Sequence, residues 1–138
     1  MFDQSTEFGQ RVARRLAEER IIWLTTVDQH NVPQPRPVWF WWDSETFLIY
    51  SRPKAYKLNH IAGNPNVALH LDGDGLGGDI VVFTAEARLA EDAPPAHQVA
   101  GYADKYQAGF ARINMTPEEF ARTYSVAIRV TPTNLRGH

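Results

Sequence analysis

The chain has 138 residues, a formal net charge of -2 at pH 7, and a composition that is 43% hydrophobic and 22% charged, which predicts one globular domain over residues 1–138. It contains no cysteine, which excludes disulfides, thiolate metal sites and thiol catalysis. The charge balance excludes a general attraction to nucleic acid, and the polar first residues and lack of a long apolar run predict a cytoplasmic protein without a membrane segment.

Hydrophobic spacing predicts a helical start and then mainly strands. Phe8, Val12 and Leu16 lie four residues apart within residues 5–19, as in an amphipathic helix. The next predicted elements, in chain order, are strands at 21–27, 34–42 and 46–51, a short helix after 53, strands at 66–72 and 79–90, helices at 93–106 and 116–124, and a last strand from 125. Thr116 and Glu119 are predicted to form a capping box at the start of the last helix. This order predicts a mainly antiparallel six-stranded β-barrel with helices packed on it.

A glycine-rich segment separates the fourth and fifth predicted strands. Residues 73–78 read G-D-G-L-G-G and match the letters of a dinucleotide-binding fingerprint. That fingerprint needs a helix after the glycines, because the helix N-terminus holds the pyrophosphate, whereas residues 79–90 alternate like a strand. We interpret the segment as a hairpin connection. The five histidines show no metal-binding spacing, so no metal site is predicted.

The predicted strand 34–42 is aromatic on both faces. Its even positions place Arg36, Val38 and Phe40 on one side, and its odd positions place Pro37 and Trp39 on the other, each side also carrying one further tryptophan. Such a strand cannot leave one face in water, so one face is expected to fill the barrel and the other to meet a partner subunit or a flat ligand. A tryptophan-rich core is the alternative.

Three cations gather where the next strand is predicted to become a helix. Residues 51–57 read S-R-P-K-A-Y-K, and Pro53 fits the first helical turn. Arg52, Lys54 and Lys57 would then crowd a helix N-terminus that is already partly positive. An anion held by backbone amides, the Ser51 hydroxyl and these cations would explain the arrangement. Solvated charges on an exposed helix start are the alternative.

These segments together resemble the flavin reductase-like split barrels of the pyridoxamine 5′-phosphate oxidase class. The resemblance rests on R-P-V-W-F-W-W-D at 36–43, L-I-Y-S-R-P-K-A-Y-K-L-N-H-I at 48–61 and N-P-N-V-A-L at 64–69, and it extends to most of the chain. It implies an FMN-binding split-barrel fold and a homodimer with cofactor sites at the interface. The closing V-T-P-T-N-L-R-G-H lacks the R-L-x-P substrate motif of true pyridoxamine phosphate oxidases, so vitamin B6 oxidation is not expected.

The resemblance also implies which residues hold the cofactor. By this likeness Arg36, Ser51 and Lys57 hold the phosphate, and the backbone of Pro37 to Trp39, through Val38, approaches the ring. The cation cluster further resembles the branch that uses the deazaflavin coenzyme F420, for whose phosphodiester-linked tail Arg52 and Lys54 are candidates. FMN is the alternative cofactor. Tyr50 is a candidate cofactor contact, and either Tyr50 or solvent is a candidate proton donor.

The resulting functional prediction is an oxidoreductase that uses coenzyme F420 to pass hydride to a small unsaturated or conjugated acceptor. Cofactor chemistry of this kind needs orientation more than a protein acid-base pair. The alternatives are an FMN-dependent enzyme of the same fold and a non-catalytic carrier of flavin, deazaflavin or haem. A barrel for single-stranded nucleic acid is disfavoured because no broad basic groove is predicted.

Overall fold

The computed structural model describes residues 2–138, which form one curled antiparallel sheet with helices packed against it. In chain order the elements are α1 (Glu7–Glu18), β1 (Ile22–Val27), β2 (Pro33–Val38), β3 (Trp41–Trp42), β4 (Phe47–Ser51), α2 (Tyr56–Gly63), β5 (Asn66–His70), β6 (Val81–Leu89), a 3-10 turn (Ala96–Gln98), α3 (Ala100–Lys105), α4 (Gln107–Arg112), α5 (Pro117–Thr123) and β7 (Val126–Gly137).

The sheet curls because its two edges are consecutive in the chain. Its strand order is β2-β1-β5-β6-β7-β4-β3, and only Trp39 and Phe40 join β2 to β3. A linker of this length spans about 11 Å at most, so the two outer strands must approach each other. The predicted antiparallel barrel with helices is confirmed. The sheet has seven strands rather than six because the predicted strand 34–42 divides into β2 and β3.

The division of that strand has a local cause. The Phe40 N–H donates to the Tyr106 hydroxyl at 2.8 Å, and the Phe40 carbonyl accepts from Tyr106 at 3.1 Å and from Lys105 Nζ at 3.3 Å. Side chains at the C-terminal end of α3 therefore satisfy backbone groups that a sheet partner would otherwise bind. The proline-rich β2 is an edge strand, where missing amide donors are tolerated.

Residues 34–42 alternate in direction, and their two faces pack on two separate hydrophobic clusters. Val38 and Trp42 pack on the barrel core that contains Phe40, whereas Trp39 and Trp41 pack on a second cluster beneath α3, α4 and α5. The prediction that even and odd residues of this segment lie on opposite faces is correct. The even face fills the barrel, as expected for one of the two faces, and much of the odd face packs on the chain's own helices.

One predicted helix start agrees with the structure and another differs from it. Thr6 caps α1 through the Gly9 N–H, and Thr116 with Glu119 forms the predicted capping box of α5. The placement of Pro53 in a first helical turn is wrong, since α2 begins at Tyr56. Pro53 lies instead in a turn closed by the Ala55 N–H and the Arg52 carbonyl at 3.2 Å.

The glycine-rich segment connects β5 to β6, as predicted. The Asp74 N–H donates to the Gly78 carbonyl at 3.0 Å, and Gly75 and Gly77 adopt φ of 84° and 83°, a region that favours glycine. A strand follows these glycines, so the phosphate-holding helix of a dinucleotide fingerprint is missing at this position. Within residues 2–138, no helix combines the length and apolar character that crossing a membrane would need.

Candidate functional site

A cavity of about 440 Å³, here called the basic cavity, opens between the β2 edge and the start of α2. Its lining residues are Thr26, Gln34, Arg36, Lys54, Ala55, Tyr56, Lys57 and His60. Three of these side chains are cations and none is a carboxylate. None of the four ion pairs formed by the described residues involves Arg36, Lys54 or Lys57. The cavity therefore presents unneutralised positive charge.

Backbone pairing brings these distant residues together. Arg36 lies on the exposed edge strand β2, opposite Leu24 of β1, while the turn after β4 leads directly into α2. The α2 N-terminus begins after Ala55 without a side-chain cap, so its first amide hydrogens have no side-chain acceptor. Positive charge from the cations and from the helix end thus accumulates at one point.

Lys57 is the most constrained cation of the basic cavity. Burial lowers the pKa of Lys57, and the nearby positive charge of Arg36 lowers it further. Beside it, the buried Thr26 hydroxyl lies 2.8 Å from His60 Nδ1, which orients the imidazole in the cavity wall. An anion in this cavity would offset both the burial of Lys57 and its repulsion by Arg36.

A second cavity of about 390 Å³, here called the aromatic cavity, lies between the end of β2 and the helices α3 to α5. Its lining residues are Ile21, Pro37, Val38, Trp39, Tyr50, Lys57, Tyr102, Arg112, Ile113, Phe120 and Tyr124. Lys57 lines both cavities, so the two are adjacent. An apolar chamber with a few polar groups is typical of a small-molecule site.

Stacked rings make one wall of the aromatic cavity rigid. The Trp39 ring stacks on Tyr106 at 4.5 Å and on Phe120 at 5.3 Å, and Phe120 stacks on Tyr124 at 4.4 Å. The Arg52 guanidinium lies 5.1 Å from the centre of the Tyr124 ring, within range of a cation–π interaction. Trp39 therefore presents part of its surface to the cavity while the core holds its orientation.

The residues predicted for the site divide between these places. Arg36 and Lys54 line the basic cavity, Lys57 lines both cavities, and Pro37, Val38, Trp39 and Tyr50 line the aromatic cavity. Ser51 is buried outside both linings and its hydroxyl donates to the Arg52 carbonyl at 3.0 Å. Arg52 is also outside both linings and contacts Tyr124 instead.

Tyr50 lines the aromatic cavity with its hydroxyl already engaged. That hydroxyl donates to the Pro94 carbonyl at 2.5 Å. Burial raises the pKa of Tyr50 to about 12, against the opposing charge of Arg129. Its ring is therefore available to a ligand, while its proton is committed to the protein.

Sequence reasoning missed several residues of both cavities. His60 follows Lys57 by three positions, so the shared helix face could have been read from the spacing. Thr26 and Gln34 carried no comparable signal. Tyr102 and Tyr124 reach the aromatic cavity from helices far along the chain, and only the fold brings them beside β2.

Comparisons with known proteins agree with this architecture. A search of curated proteins found no sequence match. Among solved structures the chain is similar to a conserved hypothetical protein from Mycobacterium tuberculosis, with 19% identity, 95% of this chain and 82% of that chain covered and a TM-score of 0.72. It is similar to an F420 reductase, with 23% identity, 89% and 94% covered and a TM-score of 0.65.

A third similar structure is the heme storage protein HutZ from Vibrio cholerae, with 14% identity, 96% of this chain and 95% of that chain covered and a TM-score of 0.66. At such identities the likeness concerns the fold alone. The model of the pyridoxamine 5′-phosphate oxidase family matches residues 8–138, nearly the whole chain. Together with the curled barrel, this match shows that the chain belongs to the pyridoxamine 5′-phosphate oxidase family of flavin-binding split-barrel proteins.

Proposed function

We propose that the chain is an oxidoreductase that uses the deazaflavin coenzyme F420 to pass hydride to a small unsaturated or conjugated acceptor. The observation that supports this proposal is the adjacency of the basic and aromatic cavities across Lys57. A ligand with an anionic group beside a flat ring could occupy both cavities at once. Deazaflavin and FMN both have this form.

The basic cavity suits the phosphate of such a cofactor. Arg36, Lys54 and Lys57 would hold it with the uncapped start of α2, because all are donors and no carboxylate lines the cavity. A phosphodiester that continues into an acidic tail gains from more than one cation. Lys54, which is exposed at the rim, is the residue we assign to that continuation.

The aromatic cavity suits the ring. Pro37, Val38 and Trp39 would lie along one side of it, with the ring of Tyr50 and the helices opposite. The stacked wall behind Trp39 limits rearrangement, so orientation is provided before binding. The apolar part of the lining disfavours water beside the ring, where hydride would move.

When bound, the reduced coenzyme supplies the hydride. The chain's own residues bind the phosphate, orient the ring and leave an open side for the acceptor. The accompanying proton is assigned to solvent, because the Tyr50 hydroxyl donates to Pro94. The acceptor then gains a hydride and a proton across one unsaturated bond.

The proposal includes a homodimer with a cofactor site at each interface. Residues 33–37 of the edge strand β2 are exposed in the isolated chain, and Arg36 and Pro37 belong to this stretch. A second subunit covering the edge would enclose the open side of both cavities. It would also cover the unpaired backbone groups of β2.

Two alternatives have specific support. FMN offers the same combination of phosphate and ring, and the likeness to the heme storage protein from Vibrio cholerae favours a non-catalytic carrier as a second candidate. A carrier would bind its ligand without using it.

The proposal is tested by titrating purified protein with F420, FMN and haem under the same conditions. We expect the tightest binding for F420. The bound, reduced coenzyme is then mixed with 2-cyclohexen-1-one, a small conjugated ketone, and its reoxidation is followed with and without protein. Protein-dependent reoxidation supports an enzyme. Tight binding of FMN or haem with no binding of F420 would reject the cofactor assignment.

A further inference from the structure

One hydroxyl in the wall of the aromatic cavity has no hydrogen-bond partner. Tyr102 of α3 is 0% exposed and lines the cavity, and its hydroxyl oxygen is buried without a partner among residues 2–138. Its ring is fixed by Tyr50, in an edge-on contact at 5.1 Å, and by Tyr106 at 5.0 Å. The hydroxyl therefore has a defined position and an unused donor.

The neighbouring tyrosines differ in this respect. Tyr106 donates to the Arg20 carbonyl at 2.7 Å and accepts from the Phe40 N–H at 2.8 Å. Tyr50 donates to Pro94. Both hydroxyls thus serve the fold, whereas the Tyr102 hydroxyl makes no such contribution.

An unpaired buried hydroxyl costs folding free energy, and phenylalanine would fill the same space without that cost. Burial raises the pKa of Tyr102 far above its ordinary value, and the nearby tyrosines Tyr106, Tyr50 and Tyr124 raise it further. The group therefore stays protonated at neutral pH. It is a permanent donor, buried on a residue that lines a ligand-sized chamber.

We infer that the Tyr102 hydroxyl donates a hydrogen bond to a carbonyl-type oxygen of a planar ligand in the aromatic cavity. This inference rests on the proposed function in so far as that function places a ring there. Two ligands could carry such an oxygen: the cofactor ring and the conjugated acceptor. The chemistry is the same in both cases, and binding probes separate them.

The test uses probes that need neither a phosphate nor turnover. Lumiflavin represents the cofactor ring without its phosphate, coumarin represents a planar conjugated carbonyl acceptor, and naphthalene matches coumarin in size without a carbonyl. Each is titrated against wild type, Tyr102→Phe and Tyr106→Phe, with affinity read from protein fluorescence. Unfolding free energies of the three proteins are measured in urea.

We expect Tyr102→Phe to keep or raise the unfolding free energy. It should weaken the binding of a carbonyl probe by about threefold to tenfold, the range of one lost hydrogen bond. Naphthalene binding should not change. Weaker lumiflavin binding assigns the oxygen to the cofactor ring, and weaker coumarin binding alone assigns it to the acceptor. Tyr106→Phe should lose stability instead, because its hydroxyl holds Phe40.

The inference is overturned if Tyr102→Phe changes the affinity for neither carbonyl probe. It is equally overturned if the substitution weakens the binding of naphthalene by the same factor. It is also overturned if Tyr102→Phe loses as much stability as Tyr106→Phe, since the hydroxyl would then have a partner inside the protein. A failure of the proposed function is read separately, from absent F420 binding, because lumiflavin does not depend on the basic cavity.

Discussion

Replacing Lys57 by alanine should separate ligand binding from stability. Lys57 lines both cavities and would contact the phosphate through a charge-assisted hydrogen bond, which contributes about 1.5 to 3 kcal/mol. We therefore expect Lys57→Ala to weaken F420 binding by about 12-fold to 150-fold. Arg36 and Lys54 remain in the variant, so binding should be reduced rather than abolished.

The stability of the ligand-free protein should respond differently. The pKa of Lys57 is lowered by burial and by Arg36, which means that the folded state disfavours the charged lysine relative to the unfolded chain. At neutral pH that charge opposes folding, and alanine removes it. We expect the unfolding free energy of ligand-free Lys57→Ala to be retained or increased.

The assay is a fluorescence titration of F420 with wild type, Lys57→Ala and Arg14→Ala, together with urea unfolding of each ligand-free protein. Arg14 is an exposed cation of α1 outside the described cavities, so its loss controls for a change in net charge. Unchanged affinity in Lys57→Ala would refute the placement of the phosphate. Equal weakening in Arg14→Ala would show that only overall charge matters.

Two further predictions concern the packing and titration of α3. A methyl group at Gly101 would overlap the Trp41 indole, so Gly101→Ala should lower the unfolding free energy by about 1 to 3 kcal/mol. Burial lowers the pKa of Lys105 from 10.5 to about 8, and Arg20 adds to this effect. Between these values the unfolded chain binds more protons than the folded one, so the stability of wild type relative to Lys105→Met should rise as pH increases from 8 to 10.

For each of these predictions, one experimental result would contradict it. Gly63→Ala is the control for the first, because a Cβ there meets no atom within 4 Å, and equal stability of the Gly101 and Gly63 variants would count against the contact with Trp41. For the second, urea unfolding at several pH values gives the difference between wild type and Lys105→Met. A difference that stays flat or falls would show that the lysine is not disfavoured by burial.

The barrel could be predicted from the sequence because its signals are local. Alternation in 79–90 and the capping box of Thr116 and Glu119 each depend on a few neighbouring residues, and both are found in the structure. The break after Val38 could not be predicted in this way. It arises from hydrogen bonds between Phe40 and Tyr106, two residues that the sequence separates widely.

The candidate site, like the fold, could be predicted from the sequence only where the signals are local. Lys54 and Lys57 were identified from their charge and position and Arg36 from the family resemblance, and all three line one cavity. The same reasoning grouped Arg52 with them, yet its side chain lies over Tyr124. Proximity in sequence does not determine the direction of a side chain in a turn. Tyr102 was missed because its significance depends on a hydroxyl without a partner, which only coordinates reveal.

The central claim is that one ligand bridges the two cavities across Lys57. A crystal structure of the protein with bound F420 tests it most directly. The account predicts the cofactor phosphate within about 3 Å of donors on Arg36 and Lys57, with the ring beside Pro37 to Trp39. A phosphate held elsewhere, or a ring lying outside the aromatic cavity, would contradict it.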